Sequence, residues 1–164
     1  MKFLFFLLIS AISILAQNKV IIDSKSEKAM FIGECNLDAF QDSSFAWWYN
    51  SEFENYEPNP DILNTLKQNL DEYKIEIILG SWCSDSRREV PRFIKILDLL
   101  DYDPAQIEII AVDREKSAPE LDIESKGIEL VPTFIFVKDG KEMGRIIETP
   151  LKTLEEDILE IIKN

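Results

Sequence analysis

Gly80-Ser81-Trp82-Cys83-Ser84-Asp85-Ser86-Arg87-Arg88-Glu89-Val90-Pro91 is the stretch from which the rest of the chain is read. Ahead of it, Lys74-Ile75-Glu76-Ile77-Ile78-Leu79-Gly80 is an apolar, β-branched run of strand length closed by glycine. Behind it, Val90, Phe93, Ile94, Leu97 and Leu100 recur at helical spacing within Ser84 to Leu100. A strand therefore ends and a helix begins at Cys83. A thiol at such a corner faces unpaired backbone N–H groups and the positive end of the helix dipole, and both favour the nucleophilic thiolate. Ser86, in the first turn, is the candidate hydroxyl donor to that thiolate, while Asp85 opposes it by like charge and is partly neutralised by Arg87 and Arg88. Arg87, Arg88 and Arg92 otherwise read as a solvated helix face.

Downstream, Asp101-Tyr102-Asp103-Pro104 breaks the helical pattern and Ile107 to Asp113 reads as the next buried strand. Ala118 to Lys126 is a short helix with Gly127 as its C-cap. Thr133 to Val137 and Glu142 to Ile147 flank Lys138-Asp139-Gly140-Lys141, whose Asp-Gly pair signals a hairpin. Leu151, Leu154, Ile158, Leu159 and Ile162 make a final amphipathic helix. The order is β-α-β-α-β-β-α, an α/β fold with a central mixed sheet and helices on both faces.

From about Leu70 to its C-terminus the chain resembles the thioredoxin-like family. The matching pieces are Trp82-Cys83 after a buried strand, Pro91 eight residues beyond the cysteine, and Val131-Pro132-Thr133 leading into Phe134-Ile135-Phe136-Val137-Lys138-Asp139-Gly140-Lys141. The resemblance implies a three-layer fold, a cis bond before Pro132, and Trp82, Val131, Pro132 and Thr133 lining the place where substrate meets Cys83. Two departures stand beside it. The family's Cys-x-x-Cys reads Cys83-Ser84-Asp85-Ser86 here, and Ile77 occupies the position six before the cysteine where the family tends to bury an acid. Both put dithiol chemistry in doubt. A lone thiolate attacks a disulfide to form a mixed disulfide, then waits for an external thiol, or for Cys35, to release it. Cys35, in Gly33-Glu34-Cys35-Asn36-Leu37, is the candidate second thiol, with a buried, unpaired cysteine and intermolecular pairing as the alternatives.

The resemblance does not cover the first half. Residues 1–16 carry Lys2, then an uncharged and largely apolar run from Phe3 to Leu15, ending at Ala16. That run is shorter than the roughly 20 residues of a membrane span and has the shape of a secretory signal peptide. Secretion, to a periplasm or to the outside, is therefore expected, with no membrane span once the signal is removed. Residues 17–60 form an extension packing on the core, and 61–164 the thioredoxin-like domain. Within the extension, Lys19 to Asp23 and Ala29 to Gly33 read as strands. Between Gln41 and Tyr56, Phe45, Trp48, Tyr49, Phe53 and Tyr56 share one helix face. Asp42-Ser43-Ser44 is its candidate cap and Pro58-Asn59-Pro60 its end. This face either covers the core or lines a groove near Cys83. Asp61 then opens a helix from Ile62 to Leu70.

A chain of 164 residues has room for one domain plus an extension. Its formal charge of −13 disfavours nucleic-acid binding. The sequence contains no histidine, which removes Ser-His-Asp and Cys-His hydrolysis and His-ligated zinc, and its two cysteines cannot complete an all-thiolate zinc site. No cofactor and no metal are called for. Two functions compete: a secreted monothiol exchange protein of oxidoreductase or isomerase type, acting on protein or low-molecular-weight thiols and disulfides, and a thioredoxin-like module that binds a protein without turnover.

Overall fold

The computed structural model describes residues 18–163, so the stretch read as a signal peptide lies outside the described residues. Two short strands, β1 (Val20–Ile22) and β2 (Ala29–Phe31), pair antiparallel as a separate ribbon. They are followed by β3 (Gly33–Cys35), α1 (Ala46–Asn55), α2 (Pro60–Leu66), β4 (Lys74–Leu79), α3 (Ser84–Leu99), β5 (Ile107–Ala111), β6 (Thr133–Lys138), β7 (Lys141–Ile147) and α4 (Leu154–Ile162). The main sheet has five strands in the order β3-β5-β4-β6-β7. β4 and β5 run parallel, as a crossover through a helix requires, and the remaining pairs are antiparallel. The architecture is α/β, a central mixed sheet flanked by helices, as the thioredoxin-like resemblance implies.

Side chains that alternate along the strands feed two cores. Ile75, Ile77, Leu79, Ile109, Phe134 and Phe136 face the helices, where they meet Phe93 and Ile94 of α3 and Leu154 and Ile158 of α4. Ile78, Ile110 and Ile135 face the other way, towards Ile32, Val112, Ala118, Ile123 and Val131. The alternation is the period of two expected of a pleated strand. The cover on this second face is thin. The helix expected over Ala118 to Lys126 contracts to one 3₁₀ turn, Glu124–Lys126, although Gly127 caps it in the left-handed conformation at φ 60° as anticipated. Before it, Asp113 Oδ1 accepts from the N–H groups of Glu115 and Ser117, so the segment is organised by side-chain-capped turns instead of helical bonds.

The aromatic segment of the first half covers the core. Phe45 stacks on Phe31 and Tyr49 on Phe40, at centroid distances of 3.7 and 4.7 Å, and all four rings are buried with the α3 face. The helix is shorter than the pattern suggested. Phe45, not Asp42-Ser43-Ser44, occupies the N-cap position, while Asp42 organises the preceding turn by accepting from Ser44 N–H. α2 ends at Leu66, with Asn59 as its N-cap, and Leu70–Glu72 forms a separate 3₁₀ turn. At the other end, Leu151 stands 93 % exposed ahead of α4 instead of on its buried face. Asp139 and Gly140 take positive φ values of 52° and 74°, so the β6–β7 hairpin turns as its Asp-Gly pair predicts.

Candidate functional site

Cys83 is the N-cap residue of α3, with extended backbone at φ −88° and ψ 133°. Its N–H donates to Gly80 O at 2.8 Å, which makes the sharp turn out of β4, and its carbonyl accepts the first helical bond from Arg87 N–H at 3.1 Å. The thiol is partly exposed and lies 3.2 Å from the Val131 carbonyl, to which it donates. The Val131–Pro132 peptide bond is cis, and Pro132 is buried beside it. Pro132 O accepts from Glu148 N–H at 2.7 Å, and the Thr133 hydroxyl donates to Leu130 O at 2.8 Å. Cys83, Trp82, Val131, Pro132 and Thr133 thus come together at one end of the sheet, where β4 ends and β6 begins.

Ser86 sits elsewhere in this arrangement than the sequence suggested. Its buried hydroxyl accepts from Gly80 N–H at 3.2 Å, so it closes the corner from beneath. Ser81, which the sequence reading passed over, has a fully buried hydroxyl that accepts from Phe31 N–H at 3.0 Å and ties the ribbon's end to the corner. The arginines are also engaged, which corrects the reading of a solvated face. Arg87 Nε donates to Ser81 O at 2.6 Å, Arg88 pairs with both Asp85 and the buried Glu89, and Arg92 reaches across to Glu52 of α1. Asp85 is neutralised by Arg88 at 2.7 Å, with its other oxygen 4.0 Å from the Cys83 sulfur.

Cys35 is far from this chemistry. It lies buried in β3 opposite Ile109, with its side chain in the helix-side core, whereas Cys83 borders the core of the opposite face. Both thiols are free. Burial pushes the Cys35 thiol up to about 12, against a smaller opposing effect of the Ala111 backbone, so it stays protonated near neutrality.

Trp82 completes the site. Its indole Nε1–H donates to Val112 O at 2.9 Å, and the guanidinium of Arg114 lies over its ring, 4.8 Å from the centroid. Arg114 in turn holds Asp23 from the start of the ribbon turn, through Nε at 3.0 Å and Nη2 at 2.7 Å. That guanidinium, then the Ser26 hydroxyl, hold the Asp23 carboxyl well below the usual carboxylate range against the opposing effect of burial. No local pattern links Asp23 to a residue 91 positions away. The one available hint was the Asp23-Ser24-Lys25-Ser26 turn composition, which the structure uses through backbone bonds from Lys25 and Ser26 to Asp23. Among the described residues no cluster of three acidic or cysteine side chains is placed to hold a metal ion, and no helix is long and apolar enough to cross a membrane.

No family model matches the sequence, and no curated protein does. Among solved structures, a protein of unknown function from Pseudomonas aeruginosa aligns over 80 % of this chain and 91 % of its own, at 16 % identity and a TM-score of 0.54. Thioredoxins from Schistosoma mansoni and Fasciola hepatica align over 66 % and 63 % of this chain and 92 % and 89 % of theirs, each at 22 % identity and a TM-score of 0.40. What this chain shares with the Pseudomonas aeruginosa protein is its fold.

Proposed function

We propose that the protein is a secreted thiol–disulfide exchange protein that works with the single cysteine Cys83. The observation that carries this reading is the partly exposed Cys83 thiol at the first turn of α3, 3.2 Å from the carbonyl of the Val131–Pro132 segment. A thiol in that place meets substrate on one side and a helix N-terminus on the other. In the reaction, the Cys83 thiolate attacks one sulfur of a substrate disulfide, the substrate S–S bond breaks, and the second substrate sulfur leaves as thiolate. An external thiolate then attacks the mixed disulfide, and Cys83 leaves as thiolate. Cys35, protonated and buried, takes no part in the release. Ser86 acts through Gly80, as a positioning residue for the corner. Substrates are protein or low-molecular-weight disulfides, and the apolar run in residues 1–16 supports export.

The test is exchange with a mixed-disulfide reporter in the wild type, Cys83→Ser and Cys35→Val. Exchange disappears in the first variant and persists in the second. A wild type that binds thiol-containing partners but exchanges no disulfide, with Cys83→Ser binding equally well, overturns the reading in favour of a binding module.

A further inference from the structure

The Arg114 unit is built against the reactive corner and uses only part of its hydrogen-bonding capacity. A guanidinium carries five N–H donors in a rigid fork and presents two edges suited to carboxylates. Arg114 spends one edge, Nε with Nη2, on Asp23. Asp23 is itself fixed: its side chain is 3 % exposed, and the Lys25 and Ser26 N–H groups and the Ser26 hydroxyl also donate to it. The guanidinium plane is fixed a second time by the Trp82 ring, which is in turn tied to Val112 O. The remaining edge includes Nη1, for which no acceptor occurs among the described residues, and the side chain is 28 % exposed. Trp82 is adjacent to Cys83, and the Arg114 cation and a Cys83 thiolate attract one another. Of the neighbouring carboxylates, Asp85 is paired with Arg88 and Asp113 Oδ1 accepts from its own turn, while the exposed Glu115 attracts Arg114 by charge without a hydrogen bond to it.

We propose that Arg114 is a specificity-determining residue of the Cys83 site, its free guanidinium edge receiving a carboxylate carried close to the reacting sulfur of a thiol or disulfide substrate. This rests on the exchange reading of Cys83. Arg114 selects which disulfide is attacked, and the bond changes at sulfur are those already given. In a chain of formal charge −13, which repels anions at long range, a preorganised fork over the ring of Trp82, the residue next to Cys83, gives an acidic substrate a local foothold. A small acidic thiol and an acidic residue beside a peptide cysteine carry the same carboxylate, and the chemistry of recognition is the same.

Iodoacetate and iodoacetamide differ by a carboxylate and react by the same step, in which the sulfur–carbon bond forms, the carbon–iodine bond breaks and iodide leaves. Their rates at Cys83, assigned by mass spectrometry on the full chain, are compared in the wild type and in Arg114→Gln. Because Arg114→Gln strands a buried carboxylate, Asp23→Asn/Arg114→Gln is run beside it. The ratio of the iodoacetate rate to the iodoacetamide rate falls about three- to tenfold in both variants at low ionic strength, and by less in concentrated salt. An unchanged ratio in both, with Cys83 reacting normally with iodoacetamide, overturns the role of Arg114 alone. A Cys83 inert to iodoacetamide in the folded wild type overturns the exchange reading and this one with it. Glutathione disulfide, and peptide disulfides with Glu or Gln beside the cysteine, identify the source of the carboxylate. The substrate whose exchange rate depends on Arg114 carries it, and dependence in none of them overturns the proposal.

Discussion

At the scale of single residues, Gly80 shows how closely the corner is built. A Cβ added there would lie 2.6 Å from Trp82 Cε2 and 2.8 Å from Nε1, so the requirement is for space against the indole. Gly80→Ala therefore displaces the ring that Val112 and Arg114 hold. The expected result is a loss of about 1–3 kcal/mol in stability, typical of an overpacked contact, and a fall in Cys83 exchange with neutral and acidic substrates alike. Denaturant midpoints and exchange rates measure the two effects separately. Cys35 gives a second prediction. The unfolded chain releases this proton near pH 9, while the folded chain holds it until about 12. Its stabilising contribution is thus complete below pH 9 and is lost as pH rises through that interval. Tyr102, which burial also pushes up to about 12, adds to the same trend. Urea midpoints fall from pH 9 upward, and they fall less steeply in Cys35→Val.

At the scale of elements, α1 contains two adjacent tryptophans with opposite fates. Trp48 is 4 % exposed, with its ring against Phe40 and Tyr49, whereas Trp47 is 66 % exposed and its indole N–H donates to the nearby Ser44 carbonyl. Trp48→Ala should cost about 3–5 kcal/mol through the cavity it leaves, and Trp47→Ala about 0.5 kcal/mol or less. Chemical denaturation of the two variants checks this, and equal costs would contradict the packing described. The Asp23–Arg114 pair ties the turn of the β1–β2 ribbon to the segment after β5, beside the Phe31–Ser81 bond and the burial of Phe31. Because that pair keeps the Asp23 carboxyl low, its contribution is present above the ordinary carboxylate range, near pH 4, and is lost as pH falls below it. The stability gap between wild type and Asp23→Asn is therefore widest near neutrality and narrows in acid. A gap that stays constant down to pH 2 would show that the pair does not hold the ribbon.

At the scale of the whole molecule, the first half is built into the sheet and the core. β3 pairs with β5 as the edge strand, Phe31, Phe40, Phe45 and Trp48 share the core with Phe93 and Phe134, and Tyr56 and Asn59 both donate to the buried Glu155 of α4. Removing residues 17–60 would uncover the outer face of α3 and leave Glu155 without these partners. A chain beginning at Asp61 is expected to lose its cooperative unfolding transition, which calorimetry or denaturant titration would show.

The sequence by itself determined the local elements and the place of the Cys83 thiol at the start of α3. The β-branched run at 74–79, the helical spacing after Cys83, the Asp139-Gly140 turn and the Gly127 cap each depend on neighbours within a few residues, so their signals survive in a single chain. Tertiary structure decided what those elements meet. β3 runs antiparallel on the far edge of the sheet, the Ser86 hydroxyl faces Gly80, Cys35 and Cys83 sit in different cores, and Asp23 closes on Arg114 across 91 positions. Each of these contacts depends on burial and on chain closure between distant segments. A buried carboxylate needs a cation and a buried hydroxyl needs a partner, but local periodicity does not say which one the fold will bring.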